Sequence, residues 1–342
     1  MDKINLLGRD VTTYYGPNLA ISAVVFIDDV TGMGGQKTAN NLIFNCSIME
    51  EKKKMTFNNK TGKTEYMVVQ VNKNDEVKTV TEKVKKGYIS RVKEHKMLGT
   101  WLDESFSYAL NITKRKKKLH YMIGSINRRA SPSKIGIYAV QARLVLAESV
   151  IIPSMLHDVE GFPVHTDGEI KQLEQIQYNI LTGILRLPQS TPYCALLMEV
   201  GWWKMRARIA YRKLMLYHNI LRSDEKRLIL QLIKVQKDEC RETTWYSSVQ
   251  REIKKYAIEM DPKEVLKSTW KKEVKRKITE KEESEIREKC ASSTKARFVS
   301  ADEYKMKDYL ASKTHLMEAR KIMMTRHDAL YVKKMLEKLS TI

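Results

Sequence analysis

Cysteine is scarce in this chain. Only Cys46, Cys194, Cys240 and Cys290 occur, far apart and with no Cys-x-x-Cys pair. That excludes a disulfide scaffold and reads as reduced intracellular thiols, mostly structural. Cys240, Cys290, His315 and His327 also lack the spacing of a zinc finger. Long apolar runs are missing: the longest is about half the ~20 residues that a membrane-spanning helix needs. The opening residues, Met1 to Asp10, lack the continuous apolar core of a signal peptide. Neither a transmembrane segment nor a secretory leader is expected.

Carboxylates are missing unevenly. Against 62 Lys+Arg stand 41 Asp+Glu, a net charge of +21. This balance favours a polyanionic partner, nucleic acid or an anionic membrane surface, and says nothing about fold. From Ser105 to Ala147 there is no Asp or Glu at all. The bases there are Lys114, Arg115, Lys116, Lys117, Lys118, Arg128, Arg129, Lys134 and Arg143. Leu119, Met122, Ile123 and Ile126 recur at helical spacing, which predicts an amphipathic helix with a basic flank. A charged flank is ordinarily a solvated face. Over so long a stretch, however, no carboxylate cancels the positive field, and phosphate-backbone contact by Lys114 to Lys118, Arg128, Arg129 and Lys134 is the sharper expectation.

What is present begins with a short apolar strand. Every residue from Leu19 to Ile27 except Ser22 is Leu, Ile, Val, Phe or Ala, as in a strand buried on both faces. It stops at Asp28 and Asp29. The glycines of the next stretch, Gly32, Gly34 and Gly35, suit a tight turn and a return strand. The acids therefore sit at or beside the tip of a strand–turn–strand unit. Asp-Asp alone fits a solvated turn. It also fits half of a magnesium site, because hard divalent cations take carboxylate oxygens and complete their shell with water and substrate phosphates.

Ala39, Leu42, Ile43, Cys46 and Met49 then fall at helical spacing, with Glu50 to Lys54 on the solvent side. Glu65 to Val71, and Val77 with Val80, read as strands, and Lys85-Lys86-Gly87 as a turn between strands. Ser131-Pro132 opens a helix whose stripe is Ile135, Ala139, Ala142 and Leu146, with Pro153 beyond its end. Thr166-Asp-Gly-Glu169 is a capping box heading the stripe Ile170, Leu173, Ile176 or Gln177, Ile180 and Ile184. Thr191-Pro192 starts a short helix that Gly201 ends, and Met205, Ile209, Leu216 and Ile220 form the next stripe. Short loops between these helices suggest a bundle. Trp202 and Trp203 fit core packing, with base stacking by one of them as the alternative. Beyond Ser223, alternating Lys and Glu runs read as an exposed, mobile helical connector. From Asp302 to Leu339 the pattern turns amphipathic again. The fold class is α+β.

Phe26-Ile27-Asp28-Asp29 resembles the catalytic Phe/Tyr-x-Asp-Asp box of reverse transcriptases. Lys63-Thr-Glu-Tyr-Met-Val-Val is similar to the Lys-Thr-Glu segment that follows the box in that family. Met97-Leu98-Gly99 is similar to its Tyr-Leu-Gly primer-grip turn, with Met97 in place of tyrosine. Ile152-Pro153, Leu173-Glu174-Gln-Ile-Gln177 and Glu199-Val-Gly201 resemble landmarks in the thumb of non-LTR (LINE-type) retrotransposon enzymes. Together these segments keep the family's order from about Leu19 to Leu221.

The resemblance implies a polymerase palm remnant of antiparallel strands with one packed helix over 1–104. A helical thumb follows over 105–222 and a mixed-charge helical connector over 223–342. It implies RNA-directed DNA synthesis with Mg²⁺, RNA and DNA as partners, and work in the nucleus. Asp28 would be the firmer metal ligand and Asp29 the weaker. Phe26, Lys63 (with Lys60 as competitor), Leu98 and Gly99 would meet the nucleotide and the primer end. The family also uses fingers and an aspartate-bearing strand upstream of the box, and only Met1 to Val25 precede Phe26 here. The expectation is a chain that binds nucleic acid without polymerising alone, or completes a site with a missing upstream portion. The alternative is a non-catalytic basic binding module.

Overall fold

The computed structural model describes residues 23–26, 29–32, 65–67, 83–84, 87–88, 90–163, 165–225, 227–239, 242–293, 295–296, 299, 302–311 and 315–326. It is mostly helical, with small two-stranded sheets at its N-terminal end. The chain forms two units, residues 1–107 with 224–241, and residues 108–223 with 242–342.

In the first unit, β1 (Ala23–Phe26) pairs antiparallel with β2 (Asp29–Gly32), with Phe26 opposite Asp29. The chain thus reverses between Phe26 and Asp29, and Gly32 lies within the return strand. β3 (Glu65–Tyr66) runs parallel to β6 (Ser90–Arg91). β4 (Lys83–Val84) and β5 (Gly87–Tyr88) are antiparallel, with Val84 opposite Gly87. The expected helix around Ala39 to Met49 and the strand at Val77 lie outside the described residues.

The best-formed hairpin joins β7 (Glu94–Met97) to β8 (Thr100–Asp103) in the register Glu94↔Asp103 to Met97↔Thr100. Leu98 and Gly99, its two loop residues, both have positive φ, 48° and 92°. This is the loop handedness that matches the twist of paired strands.

The second unit is built on helices. Helix α1 (Ala109–Arg129) buries Ile112, Leu119, Ile123 and Ile126. After it come α2 (Pro132–Ile135) and α3 (Ala139–Leu146), whose buried face is Ala139, Val140, Arg143 and Leu144. The predicted stripe was one step out of phase: Ile135 is exposed, and Ala142 and Leu146 are only half-buried. The helix does not end before Pro153. A π-turn at Ala147–Ile151 leads straight into α4 (Ile152–Met155), with Pro153 in the first turn. A widened turn there already breaks the regular ladder, so the missing proline N–H removes nothing further.

Helix α5 (Asp167–Leu185) opens with the capping box. Thr166 Oγ1 accepts from Glu169 N at 3.2 Å, and Glu169 Oε2 accepts from Thr166 N at 2.8 Å. Both Ile176 and Gln177 are buried. Helix α6 (Tyr193–Val200) stops at Gly201, which takes φ 64°. Helix α7 (Met205–Leu221) follows. Then come α8 (Leu228–Glu239, in the first unit), α9 (Trp245–Lys255) and α10 (Lys267–Ala291).

Helix α10 corrects the expectation of an exposed connector. Its residues Trp270, Val274, Ile278, Glu282, Ile286 and Cys290 are all buried, each four after the last, and the helix packs on α6 and α7. Its Lys and Glu residues cover only the other faces, so charge alternation hid a continuous core ridge. Glu282 sits in that ridge because it accepts from Lys204 N at 3.1 Å at the start of α7.

The C-terminal pieces α11 (Asp308–Ala311) and α12 (Leu316–Arg326) are tied to α6 through Glu199. That buried carboxylate accepts from Tyr309 OH at 2.6 Å and Arg326 Nε at 2.7 Å. Lys307 N donates to the Glu199 carbonyl at 3.0 Å. Trp202 is core, and Trp203 Nε1 donates to Thr279 Oγ1 on α10 at 3.1 Å.

Candidate nucleic-acid interface

Helix α1 packs its apolar side on α5 and presents the opposite side to solvent. Lys116, Lys117, Lys118, Arg128 and Arg129 are exposed there, and Lys134 is exposed on α2. Among the described residues, no carboxylate forms an ion pair with any of these six. Like charges one turn apart repel by a few tenths of a kcal/mol each, so the face is better matched to an external polyanion than to itself. Arg128 and Arg129 also occupy the last turn, where the helix dipole favours cations.

Lys117 and Arg128 lie on the same ridge as Tyr121, which is 73% exposed, and Gly124, whose absent Cβ would meet nothing within 4 Å. Tyr121 was not singled out from the sequence. The signal was there: it stands four residues after Lys117 and outside the apolar positions Leu119, Ile123 and Ile126. An exposed aromatic among cations is the pattern on which nucleic-acid bases stack.

Of the other three of the nine bases in the acid-free stretch, Lys114 is half-buried and two do something else. Arg115 is half-buried and hydrogen-bonds Tyr108 OH, the His157 carbonyl at 2.8 Å and the Met155 carbonyl at 3.3 Å. Tyr108 OH itself donates to the His157 carbonyl at 2.8 Å, and burial pushes its pKa up. Together they pin the end of α4 to the start of α1.

Arg143 is fully buried. It donates to the carbonyls of Ala130 at 2.9 Å, Ile184 at 3.1 Å and Asn127 at 3.4 Å. Those carbonyls are orphan acceptors at the C-terminal ends of α1 and α5. The negative ends of two helix dipoles therefore converge on one guanidinium.

The remaining site candidates lie in the first unit. Phe26 ends β1 and Asp29 begins β2, while Asp28 and Lys63 lie outside the described residues. Leu98 and Gly99 form the tip of the β7–β8 hairpin, where Leu98 is 53% exposed. A leucine with positive φ is held there against about 1 kcal/mol of backbone strain.

Among the described residues, no group of three or more His, Cys, Asp and Glu side chains is placed to hold a metal ion. Of the acid pair only Asp29 is described, and two-ion catalysis draws carboxylates from more than one strand. The described residues do not by themselves make up a magnesium site. Also among the described residues, no helix is long and apolar enough to cross a membrane.

Glu174 lines an open groove of about 420 Å³ with Lys171, Gln175, Tyr178, Thr191 and Tyr193. Burial raises its pKa against the pull of Lys204 and Lys289.

Comparison with known proteins gives no match: none with a protein-family model, none with a curated protein and none with a solved structure.

Proposed function

We propose that this chain is the palm and thumb portion of an RNA-directed DNA polymerase of the non-LTR retroelement class, and that it grips RNA and DNA on the outer face of α1. The observation that carries the gripping role is that face. Lys116, Lys117, Lys118, Arg128 and Arg129 stand exposed around Tyr121, with no ion-paired carboxylate among the described residues and a packed apolar face behind them. Cations so placed neutralise phosphates and release counter-ions, which positions a strand without reading its sequence. The polymerase reading is supported by the Phe26–Asp29 strand pairing, in which Asp29 opens the return strand directly after the reversal. A two-residue loop at Leu98-Gly99, in the place of the primer-grip turn, supports it too. On this reading Mg²⁺ belongs to Asp28 and Asp29 with further carboxylates.

A second reading, a basic binding module without catalysis, is favoured by one fact. The unit that holds α1 contains no part of the β1–β2 hairpin. Binding and chemistry are then separable.

The test is salt-dependent binding of the full chain to duplex and single-stranded nucleic acid. Lys116→Ala, Lys117→Ala and Lys118→Ala together should reduce the log–log salt slope by up to about 2.7, from roughly 0.9 per phosphate contact. An unchanged slope refutes the α1 face. Asp28→Asn should leave binding intact under both readings. Neither reading expects template-dependent nucleotide incorporation by this chain alone; incorporation once fingers and an aspartate-bearing strand are supplied in trans, lost in Asp28→Asn, decides for the polymerase, and none under those conditions decides for the module.

A further inference from the structure

Two residues on the outer face of α1 are not explained by how that helix packs. Tyr121 is the most exposed large hydrophobic side chain among the described residues, at 73%. Among the same residues its ring engages no other ring. Three positions on, Gly124 stands inside a helix of 21 residues. Glycine in a helix interior weakens the helix relative to alanine. Packing does not require it here, because a Cβ at Gly124 would meet nothing within 4 Å. Gly183 on α5 is the contrast. Its Cβ would stand 3.1 Å from Ile123 Cγ2, so the close crossing of α1 and α5 accounts for that glycine.

A helical side chain leans toward the N-terminus and covers the turn before its own Cα. The side chain missing at Gly124 would therefore lie over the turn that holds Tyr121. Its absence leaves a step of bare backbone beside the ring. Lys117 stands one turn before Tyr121, and Arg128 one turn after Gly124. Both are exposed, and the two are separated by roughly 16 Å along the helix axis.

We propose that this step is a stacking site for a base of a single-stranded polynucleotide. Tyr121 is the platform, Gly124 the cleared space, and Lys117 and Arg128 the phosphate contacts on either side. The site belongs to the α1 face read above as a nucleic-acid interface and stands only if that reading does. It narrows the partner there to an unpaired strand. A duplex offers its phosphates to such a face but keeps its base planes stacked on one another. A ring projecting from a helix meets a base plane only where the strand is unpaired and its bases splay out. The cations serve both forms, whereas the exposed ring and the empty position beside it serve only the single strand. The same cations set the partner's chemistry, since an apolar protein surface would leave them without counter-charge. Every base has a π-face, so the site tolerates any sequence.

The experiment uses the full chain, titrated into a short fluorescein-labelled oligo(dT) or oligo(U) strand and into a blunt duplex. Binding is read by anisotropy at several salt concentrations. Tyr121→Ala should weaken single-strand binding about 5- to 150-fold and leave duplex binding nearly unchanged. It removes no charge, so the salt slope should stay the same on both. Tyr121→Phe keeps the ring and should bind as the native chain does. Gly124→Leu fills the step. It should fold at least as stably, because its Cβ has open space and leucine is the better helix former, yet lose affinity for the single strand alone. Unchanged single-strand affinity in Tyr121→Ala overturns the stacking site. So does an equal loss on single strand and duplex. Failure of the α1 face itself looks different: Lys116→Ala, Lys117→Ala and Lys118→Ala together would then leave the salt slope unchanged, whereas stacking can fail with that slope effect intact.

Discussion

Arg143 is where sequence and structure make opposite predictions. In the acid-free stretch it reads as one more phosphate-binding cation. In the fold it is fully buried and closes the ends of α1 and α5 through three carbonyls. Burial lowers its pKa, with the Arg186 charge adding to the effect. Each hydrogen bond from a charged donor is worth about 1.5–3 kcal/mol net, and removing one partner of a buried charged network costs about 3–5 kcal/mol. Arg143→Ala strands three acceptors and opens a cavity, so a loss of about 4 kcal/mol is expected. Arg143→Lys keeps the charge but not the planar fork, and should lose about 2 kcal/mol. The assay is urea denaturation, read at the midpoint with the slope held constant, alongside the salt dependence of nucleic-acid binding. The reasoning is refuted if Arg143→Ala leaves stability unchanged and lowers the binding slope by about one phosphate contact.

Three further outcomes are expected. Lys213 is buried against the Pro163 carbonyl and Ser248, and burial lowers its pKa from 10.5 to about 8. Its folded pKa is below its unfolded one, so stability should climb by about 3 kcal/mol between pH 8 and 10.5. Calorimetry should show that climb in the native chain and not in Lys213→Met, and parallel curves would refute it. His165 is held neutral: burial lowers its pKa to about 4, with the nearby Lys213 charge adding to the effect. Its contribution should be whole above pH 6.5 and be lost as pH falls toward 4, so His165→Gln should flatten the acid limb of a thermal-stability profile. Gly201→Ala should destabilise by about 1–3 kcal/mol, because Gly201 has φ 64° and the new Cβ would stand 2.8 Å from the Lys305–Met306 backbone. Urea midpoints of that variant matching the native chain would mean that the segment after Asp302 does not dock on α6.

Features set by neighbours along the chain were legible in advance. The Thr166–Glu169 capping box, the Gly201 stop and the Leu119–Ile126 stripe follow from hydrogen bonds and periodicities that span one or two turns. So does the strand reversal, although it falls between Phe26 and Asp29, and Gly32 comes only at the end of the return strand. The phase of α3 was misread because Arg143, a charged residue, occupies a core position that pattern reasoning reserves for apolar side chains. Helix α10 was misread for the same reason at Glu282. Of the basic candidates, the exposed lysines of α1 could be named from sequence. That Arg115 is partly committed to carbonyls could not, whereas Tyr121, outside the apolar stripe and four residues after Lys117, could have been named and was overlooked.

The sequence by itself determined several helices of the second unit, the caps that bound some of them and the one-signed charge of α1, because each of these is an interaction among residues a few positions apart. The tertiary structure alone decided which charges are buried and which face outward. Burial and partnership depend on what another element brings to the same place. Arg143 meets two helix ends only once the bundle has closed.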